Sequence, residues 1–306
     1  MYYFENTRVS VIVPAMNEAA NLPSVFAAIP PWVDEVVLVD GRSTDGTVSV
    51  AKGLRPDVKV VYQGGAGKGD ALAAGFAAAC GDIVVATDAD GSTDGSEIVR
   101  FVGALLAGAG FAKGTRFGGG GASDDITAVR RIGNKALNLV VNWLFGTSFT
   151  DLCYGYNAFW ARDLPRLALD SPGFEIETLM SIWAAETGLS VREVPSHERS
   201  RLHGRSNLSA IRDGWRILRL IVAEKWSLGR DSQRRPRPFM APGYLERDEG
   251  LVRQPLPSLA RHVPGGQEPG WPAATGEPEP AGVRAPVGAG VLATGSAYGR
   301  GAGACR

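Results

Sequence analysis

Cysteine is scarce in this chain: Cys80, Cys153 and Cys305 are odd in number and far apart. They form neither a metal-binding spacing nor a disulfide framework, which fits a reducing cytoplasm. An excess of charge is also missing. Lysine plus arginine (32) balance aspartate plus glutamate (32), so no global field directs the chain towards nucleic acid. No run of about 18 apolar residues occurs, and no membrane-spanning helix is expected. The start, MYYFENTRVSVIVPAMNE, has no basic segment followed by an apolar core, so no secretory signal is expected there. Hydrophobic periodicity is absent from Gly229 to Arg306, where proline and glycine dominate. Such a segment cannot bury enough apolar surface to offset its chain entropy. The expected organisation is a folded domain over residues 1–228 and a disordered tail over 229–306.

What is present is a regular alternation. Short β-branched runs at Val9–Pro14, Glu35–Asp40, Val58–Gln63, Ile83–Asp88 and Phe111–Arg116 read as strands. Helical stretches lie between them near Asn21–Ala28, Thr44–Lys52, Asp70–Cys80 and Ser96–Ala107. Near-continuous apolar strands in such an alternation predict an α/β fold: a mostly parallel central sheet with helices on both faces. Ligands of open sheets bind outside the carboxyl ends of the strands. Polar groups gather at those ends: Asn17 and Glu18, Asp40, Lys68, then Asp88 and Asp90, then Arg116.

Asp88-Ala89-Asp90 follows the apolar run Ile83–Thr87 and precedes Gly91-Ser92. Two carboxylates one residue apart at a strand end suit Mg²⁺ or Mn²⁺, which keep open positions for water or phosphate oxygens. A polar turn is the competing reading, because Asp-x-Asp is common in turns; the convergence of polar strand ends favours the cation site. Asp40–Thr47 forms a strand–helix turn in which Ser43 or Thr44 is expected to cap the helix, placing Asp40 against a nucleoside. Gly64–Gly69 lacks the Gly-x-x-x-x-Gly-Lys-Ser/Thr order of a phosphate loop, since Gly69 and Asp70 follow Lys68. It reads as a flexible turn whose lysine either faces the substrate or is solvated.

The segments VSVIVPAMNE, EVVLVDGRSTDGT, GKGDAL, GDIVVATDADGS, KGTRF, TDLCYGYNAFWARDL, GFEIETLM to REVP, and RLHGRSNL run in order from about Val9 to Leu208. In this order they resemble the family 2 glycosyltransferases of GT-A fold, and most of all the polyprenyl-phosphate (dolichol-phosphate) mannose or glucose synthases. The resemblance implies a nucleotide-sugar pocket from Pro14, Met16 and Glu18, with Val39, Asp40 and Gly41 beside the base. It implies that Asp88, Ala89 and Asp90 hold the metal and diphosphate, that Arg116 matches the family arginine that meets phosphate, and that Arg201 matches the family's late arginine; Lys68 is counted with the nucleotide-sugar-binding candidates. Two departures stand out: Gly41 replaces an acidic residue usual after Asp40, and Asn207 replaces a lysine usual in the late motif. That phosphate contact is then either missing or supplied by Arg199, His203 or Arg205.

The implied reaction is inverting transfer of a hexose from a GDP-mannose- or UDP-glucose-type donor, with Asp90, Arg116 and Asp151 as the candidate catalytic residues. Departure of the diphosphate needs charge stabilisation, which a cation on Asp88 and Asp90, with Arg116 and Arg201, would provide. A polyprenyl-phosphate acceptor is already anionic and needs no general base, whereas a hydroxyl acceptor does. Glu175-Ile176-Glu177-Thr178 stands where hydroxyl-directed members often carry paired acidic residues, and fits the phosphate-acceptor group better. Asp151 is either an acceptor-side or a structural carboxylate.

Ala136–Phe145, preceded by Arg130, Arg131 and Lys135, and Leu208–Trp226, with Arg212, Arg216, Arg219 and Lys225, are amphipathic and basic. Such helices either contact anionic lipid or pack on the sheet or another subunit. The expected location is cytoplasmic, with peripheral contact on the inner membrane face as the further expectation. Competing readings are a soluble transferase acting on a hydroxyl acceptor and a non-catalytic nucleotide-sugar-binding module. A phosphatase aspartate motif would follow a first strand, not a fourth, and an EF-hand counted from Asp90 would need glutamate where Phe101 stands.

Overall fold

The computed structural model describes residues 7–167, 171–204 and 209–230. The expected tail lies almost wholly outside the described residues, as do Arg205 and Asn207. In chain order the elements are β1 Val9–Ala15, α1 Leu22–Ala28, β2 Glu35–Asp40, α2 Thr47–Leu54, β3 Lys59–Tyr62, α3 Lys68–Ala78, β4 Ile83–Ala86 and α4 Ile98–Leu106. There follow β5 Phe111–Thr115, β6 Ala122–Ser123, α5 Ala128–Phe145, β7 Asn157–Trp160, α6 Ile176–Glu186, β8 Val191–Pro195, β9 His197–Glu198 and α7 Ala210–Arg230.

Seven strands form one sheet in the order β3-β2-β1-β4-β7-β5-β8. β1 pairs in parallel with β2 and β4, β2 with β3, and β5 with β8. β7 alone in this sheet runs antiparallel to its neighbours, with Ala86 opposite Asn157 on one side and Phe111 opposite Phe159 on the other. β6 and β9 make a small separate ribbon. The mostly parallel sheet is therefore as expected, while β7 and β8 were not among the expected strands.

The alternation of β1 explains why both faces are covered. Val9, Val11 and Val13 point into a core shared with Leu22 and Val25 of α1, Ala51 of α2, and Ile98, Phe101 and Val102 of α4. Ile12 points the other way, with Val37 and Val39 of β2, into a core closed by Leu72 and Phe76 of α3 and by Ile176, Leu179 and Met180 of α6. Burying each such side chain stabilises the fold by about 1.5–3 kcal/mol before chain entropy is counted. A third core lies beyond the sheet. Leu137 and Val141 of α5 meet Ile182 of α6 and Ile217 and Ile221 of α7, with Phe149 and Leu152 from the loop between α5 and β7.

Gly75 sets the distance between α3 and the sheet. A Cβ there would collide with Ile12 Cγ2 and lie 2.8 Å from Val39 Cγ2, both in the buried core. Alanine in a helix normally gains about 1 kcal/mol over glycine, but overpacking a filled core costs about 1–3 kcal/mol. Gly75→Ala is therefore expected to lower stability, measured as a reduced urea midpoint. An increase would show that the helix can move away from the sheet.

Candidate active site

The loops after β1 and β2 are stitched together by short polar side chains. Asn17 adopts a left-handed backbone (φ 58°), which asparagine tolerates better than most residues. Its backbone N–H donates to Ser43 Oγ at 2.9 Å, and its Oδ1 accepts from Thr44 N at 2.8 Å. Ser43 and Thr44 are thus spent on Asn17 and do not cap α2. That helix begins after Gly46 (φ 86°), and Asp45 Oδ1 accepts from Thr47 N at 3.0 Å. The expected capping residues are corrected accordingly. Asp40 is buried, and its Oδ2 accepts from the backbone N–H groups of Arg42 and Ser43 at 3.1 and 3.2 Å.

Asp88 and Asp90 stand just past β4, and both already have cationic partners. Lys68 Nζ, at the first turn of α3, lies 2.5 Å from Asp88 Oδ1 and 2.6 Å from Glu177 Oε1. Burial alone would lower the pKa of this ammonium, but Asp88 and Glu177 outweigh it and hold the group above its ordinary range. Arg201 Nη2 lies 2.7 Å from Asp90 Oδ2, and its Nη1 lies 3.1 Å from Glu18 Oε1. Burial raises the pKa of Glu18, against the lowering effect of Asn21 and Arg201. Asp90 Oδ1 accepts from Ser92 N at 2.9 Å, which fixes the turn. Gly155 leaves space at this junction, since a Cβ would collide with Lys68 Nζ and sit 2.7 Å from Glu177 Oε1.

Among the described residues no group of three or more histidine, cysteine, aspartate or glutamate side chains forms a closed metal cage. Two carboxylates at a cavity wall are the donor type that a hard cation would use if it completed its shell with water or phosphate oxygens. The residues fit such an ion.

Arg116 follows β5 and is buried. Its Nε donates to Asp151 Oδ2 at 2.7 Å and its Nη2 to Asp151 Oδ1 at 2.9 Å, a bidentate pair. Nη1 donates to both oxygens of Glu198 at 3.1 Å, and the guanidinium lies 4.8 Å from the centre of the Tyr154 ring. Asp151 is fully buried and also accepts from Asn134 Nδ2 at 2.9 Å. Nearby, burial pushes the Cys153 thiol up to about 12, so it stays protonated at neutral pH.

A cavity of about 460 Å³ joins these groups. Pro14, Met16, Glu18, Gly41, Lys68, Asp88, Ala89, Asp90, Arg116 and Arg201 all line it. Val39, Asp40 and Asp151 do not; Val39 belongs to the core under α3, while Asp40 and Asp151 lie buried. Glu177, Gly155 and Glu198 also line the cavity without having been singled out as site residues. The spacing of Glu177 from Glu175 was visible in sequence; Glu198, in SHERSRL, carried no signal. The cavity is also lined by Val129, Arg130, Gly133, Asn134 and Leu137 of α5 and by Ala210, Asp213, Gly214 and Ile217 of α7.

Residues 10–162, half of the chain, match the family model described as glycosyl transferase family 2. The chain belongs to that family. It is 33% identical to polyprenol monophosphomannose synthase of Mycolicibacterium smegmatis over 80% of this chain and 92% of the relative. It is 32% identical to glycosyltransferase AglJ of Haloferax volcanii over 67% of this chain and 68% of that protein. Undecaprenyl-phosphate mannosyltransferase of Micrococcus luteus is 30% identical over 66% of this chain and 88% of its own length. Among solved structures, glucosyl-3-phosphoglycerate synthase of Mycobacterium tuberculosis, crystallised with Mn²⁺ and UDP, is 26% identical with a TM-score of 0.56. That likeness covers 73% of this chain and 81% of the other. As a family 2 glycosyltransferase of GT-A fold, the chain is an enzyme of the glycosyl-transfer class and, within it, is like the polyprenyl-phosphate sugar synthases.

Removing one side of a buried ion pair leaves a charge uncompensated, at a cost of about 3–5 kcal/mol. Asp151→Ala is therefore expected to lower the unfolding free energy by about that amount, read by chemical denaturation. A loss below about 1 kcal/mol, typical of an exposed pair, would show that Glu198, the other partner of Arg116, is enough to hold the buried guanidinium.

Proposed function

We propose that the protein is an inverting, divalent-metal-dependent transferase that moves a hexose from a GDP-mannose- or UDP-glucose-type donor to a polyprenyl phosphate. The observation that carries this reading is that one cavity is lined both by the paired carboxylates and by Val129, Leu137, Ala210 and Ile217 of α5 and α7, with Arg130, Asn134 and Asp213 among them. Relatives named for polyprenol-phosphate and undecaprenyl-phosphate mannosyl transfer support it.

Pro14, Met16 and Gly41 would border the nucleoside, with Val39 and Asp40 shaping the wall from behind. Asp88 and Asp90 would hold Mg²⁺ or Mn²⁺, which as a Lewis acid offsets charge on the departing diphosphate. Ala89 between them gives the phosphates close access to the chain. Lys68 and Arg201 supply further positive charge on that side, and Arg116 a guanidinium edge at the boundary with the acceptor side. Asp151 is read as the residue that orients Arg116, not as a base, because both its oxygens are occupied.

The carboxylates along the cavity also bear on the acceptor. Glu18, Asp88, Asp90, Glu177 and Glu198 are each engaged in an ion pair with lysine or arginine. A phosphate acceptor needs no base. The second reading, transfer to a hydroxyl, has Asp125 to call on, an exposed carboxylate of the cavity wall.

No helix among the described residues is long and apolar enough to cross a membrane. α5 and α7 nevertheless expose stripes at helical spacing: Ile132, Leu139 and Trp143 on one, Ile211, Trp215 and Val222 on the other, with Trp143 80% exposed. Exposed Arg131, Lys135, Arg212, Arg216 and Arg219 flank them, and α5 carries no acidic residue. Their charge complements anionic headgroups, so the proposed location is peripheral on the inner face of the membrane.

Labelled GDP-mannose or UDP-glucose, Mn²⁺ and polyprenyl phosphate should give a label extractable into organic solvent. Asp88→Ala and Asp90→Ala should each lower that transfer by at least about a hundredfold, as expected for loss of several kcal/mol of transition-state charge stabilisation. Product in water only, abolished by Asp125→Asn, would establish the hydroxyl reading instead. In flotation with anionic liposomes the protein should rise with the vesicles, and Trp143→Ser should leave more of it below; full recovery of the unaltered protein in the soluble fraction counts against the membrane position.

A further inference from the structure

The two carboxylates of the metal site share a feature that separates them from an open, waiting site. Each is bridged by a protein cation to a second carboxylate. Lys68 joins Asp88 to Glu177, at 2.5 and 2.6 Å, and Arg201 joins Asp90 to Glu18, at 2.7 and 3.1 Å. The bridges come from opposite sides, one from α3 and α6, the other from the segment after β9 and the loop after β1. They are nevertheless built alike.

Each bridge is held in place by its immediate surroundings. Gly155 lacks the side chain that would collide with Lys68 Nζ. Gly69 N, on the neighbouring residue, donates to Pro172 O at 2.9 Å, tying the start of α3 to the segment before α6. On the other side, Arg199 N donates to Ser92 O at 2.8 Å and Leu202 N to Asp90 O at 3.2 Å. Arg199 also pairs with Asp94 at 2.5 Å. Residues 199–202 therefore lie as a strap across the aspartate turn, with Arg201 aimed at Asp90 and Glu18.

Building on the metal-site reading above, we propose that Lys68 and Arg201 are internal counter-ions of Asp88 and Asp90, released to the diphosphate when the nucleotide binds. Glu177 and Glu18 are the positioning residues that retain the released cations at the cavity wall. An ion of charge two approaching the bare protein meets an ammonium and a guanidinium within hydrogen-bond distance of its ligand oxygens. Both oxygens of Asp90 are also engaged, one by Ser92 N and one by Arg201. A nucleoside diphosphate offers the cations new anionic partners, so metal and nucleotide each raise the affinity of the other. Such coupling is reciprocal by linkage and is typically 5- to 150-fold, an order-of-magnitude range.

The test reads binding, not turnover: Mn²⁺ affinity by water-proton relaxation, with and without UDP or GDP, on the full chain. Lys68→Met and Arg201→Met should each bind Mn²⁺ alone about tenfold more tightly than the unaltered protein, and UDP or GDP in saturating Mn²⁺ about tenfold more weakly. Arg201→Lys, which keeps the charge, should restore weak binding of Mn²⁺ alone. Glu177→Gln, which removes the anchor and leaves the cation, should weaken binding of Mn²⁺ alone. A damaged fold weakens both ligands together, so the opposite signs identify release of a counter-ion, and two independent sites guard against one variant failing to fold. The proposal is overturned if Lys68→Met and Arg201→Met bind Mn²⁺ alone no more tightly than the unaltered protein while nucleotide still promotes Mn²⁺ binding. If no Mn²⁺ binds the unaltered protein even with UDP or GDP, the metal-site assignment fails, and the counter-ion proposal with it.

Discussion

Arg116 and Asp151 meet where several separate parts of the chain converge, and the site takes its shape from that meeting. Arg116 comes from the end of β5 and Asp151 from the loop that leads into β7. Asn134 of α5 hydrogen-bonds the same carboxylate, Glu198 of β9 pairs with the same guanidinium, and Tyr154 lies beside it. Withdrawing two opposite charges from water is costly, and the interior returns that cost only when the geometry is good and the remaining donors are used. The bidentate fork and its extra partners meet both conditions. α5 is thereby tied to the end of β5 and, through Arg116, to β9.

The half of the fold that carries the nucleotide reading was the more legible one. β2 is found where its apolar run placed it, and β1, β3, β4 and β5 differ only at their ends, because buried parallel strands are written as nearly continuous β-branched runs. β7 and β8 were missed for the same physical reason in reverse. Asn157–Trp160 is short and begins with a polar residue, while Val191–Pro195 mixes charge with valine at the sheet edge. The Ser43 and Thr44 cap was a local inference overtaken by a contact across 26 residues, to Asn17. Asp151 could not be assigned from sequence, since its partner lies 35 residues away. Lys68 and Arg201 were expected in the site, but their ion pairs with Asp88 and Asp90, and the part of Glu177, are set only by folding.

Overall neutrality conceals a strongly polarised interior. Net charge describes how a protein meets distant partners, whereas the cavity gathers Glu18, Asp88, Asp90 and Glu177 around Lys68 and Arg201. Opposed charges packed this closely are stable because each screens the next. The arrangement is responsive for the same reason, since any entering ion must redistribute contacts that already exist. Lys113 shows the contrasting case. It is fully buried, donates to Tyr154 O at 2.8 Å, and is held below its ordinary pKa by burial, partly offset by Asp151 and Glu177. Its role is to brace the backbone of the loop that carries Gly155.

The reversal of β7 has a topological result. In an all-parallel sheet, the loop entering a strand lies at the edge opposite the ligand. Because β7 runs against β4 and β5, its entry loop opens on the ligand side, and β5 and β7 become the two arms of one greatly enlarged hairpin. Everything between those arms, including α5, is a single contiguous insertion. The α5 part of the cavity wall therefore comes from one continuous stretch of chain between neighbouring strands, whereas the α7 part is added from beyond β9.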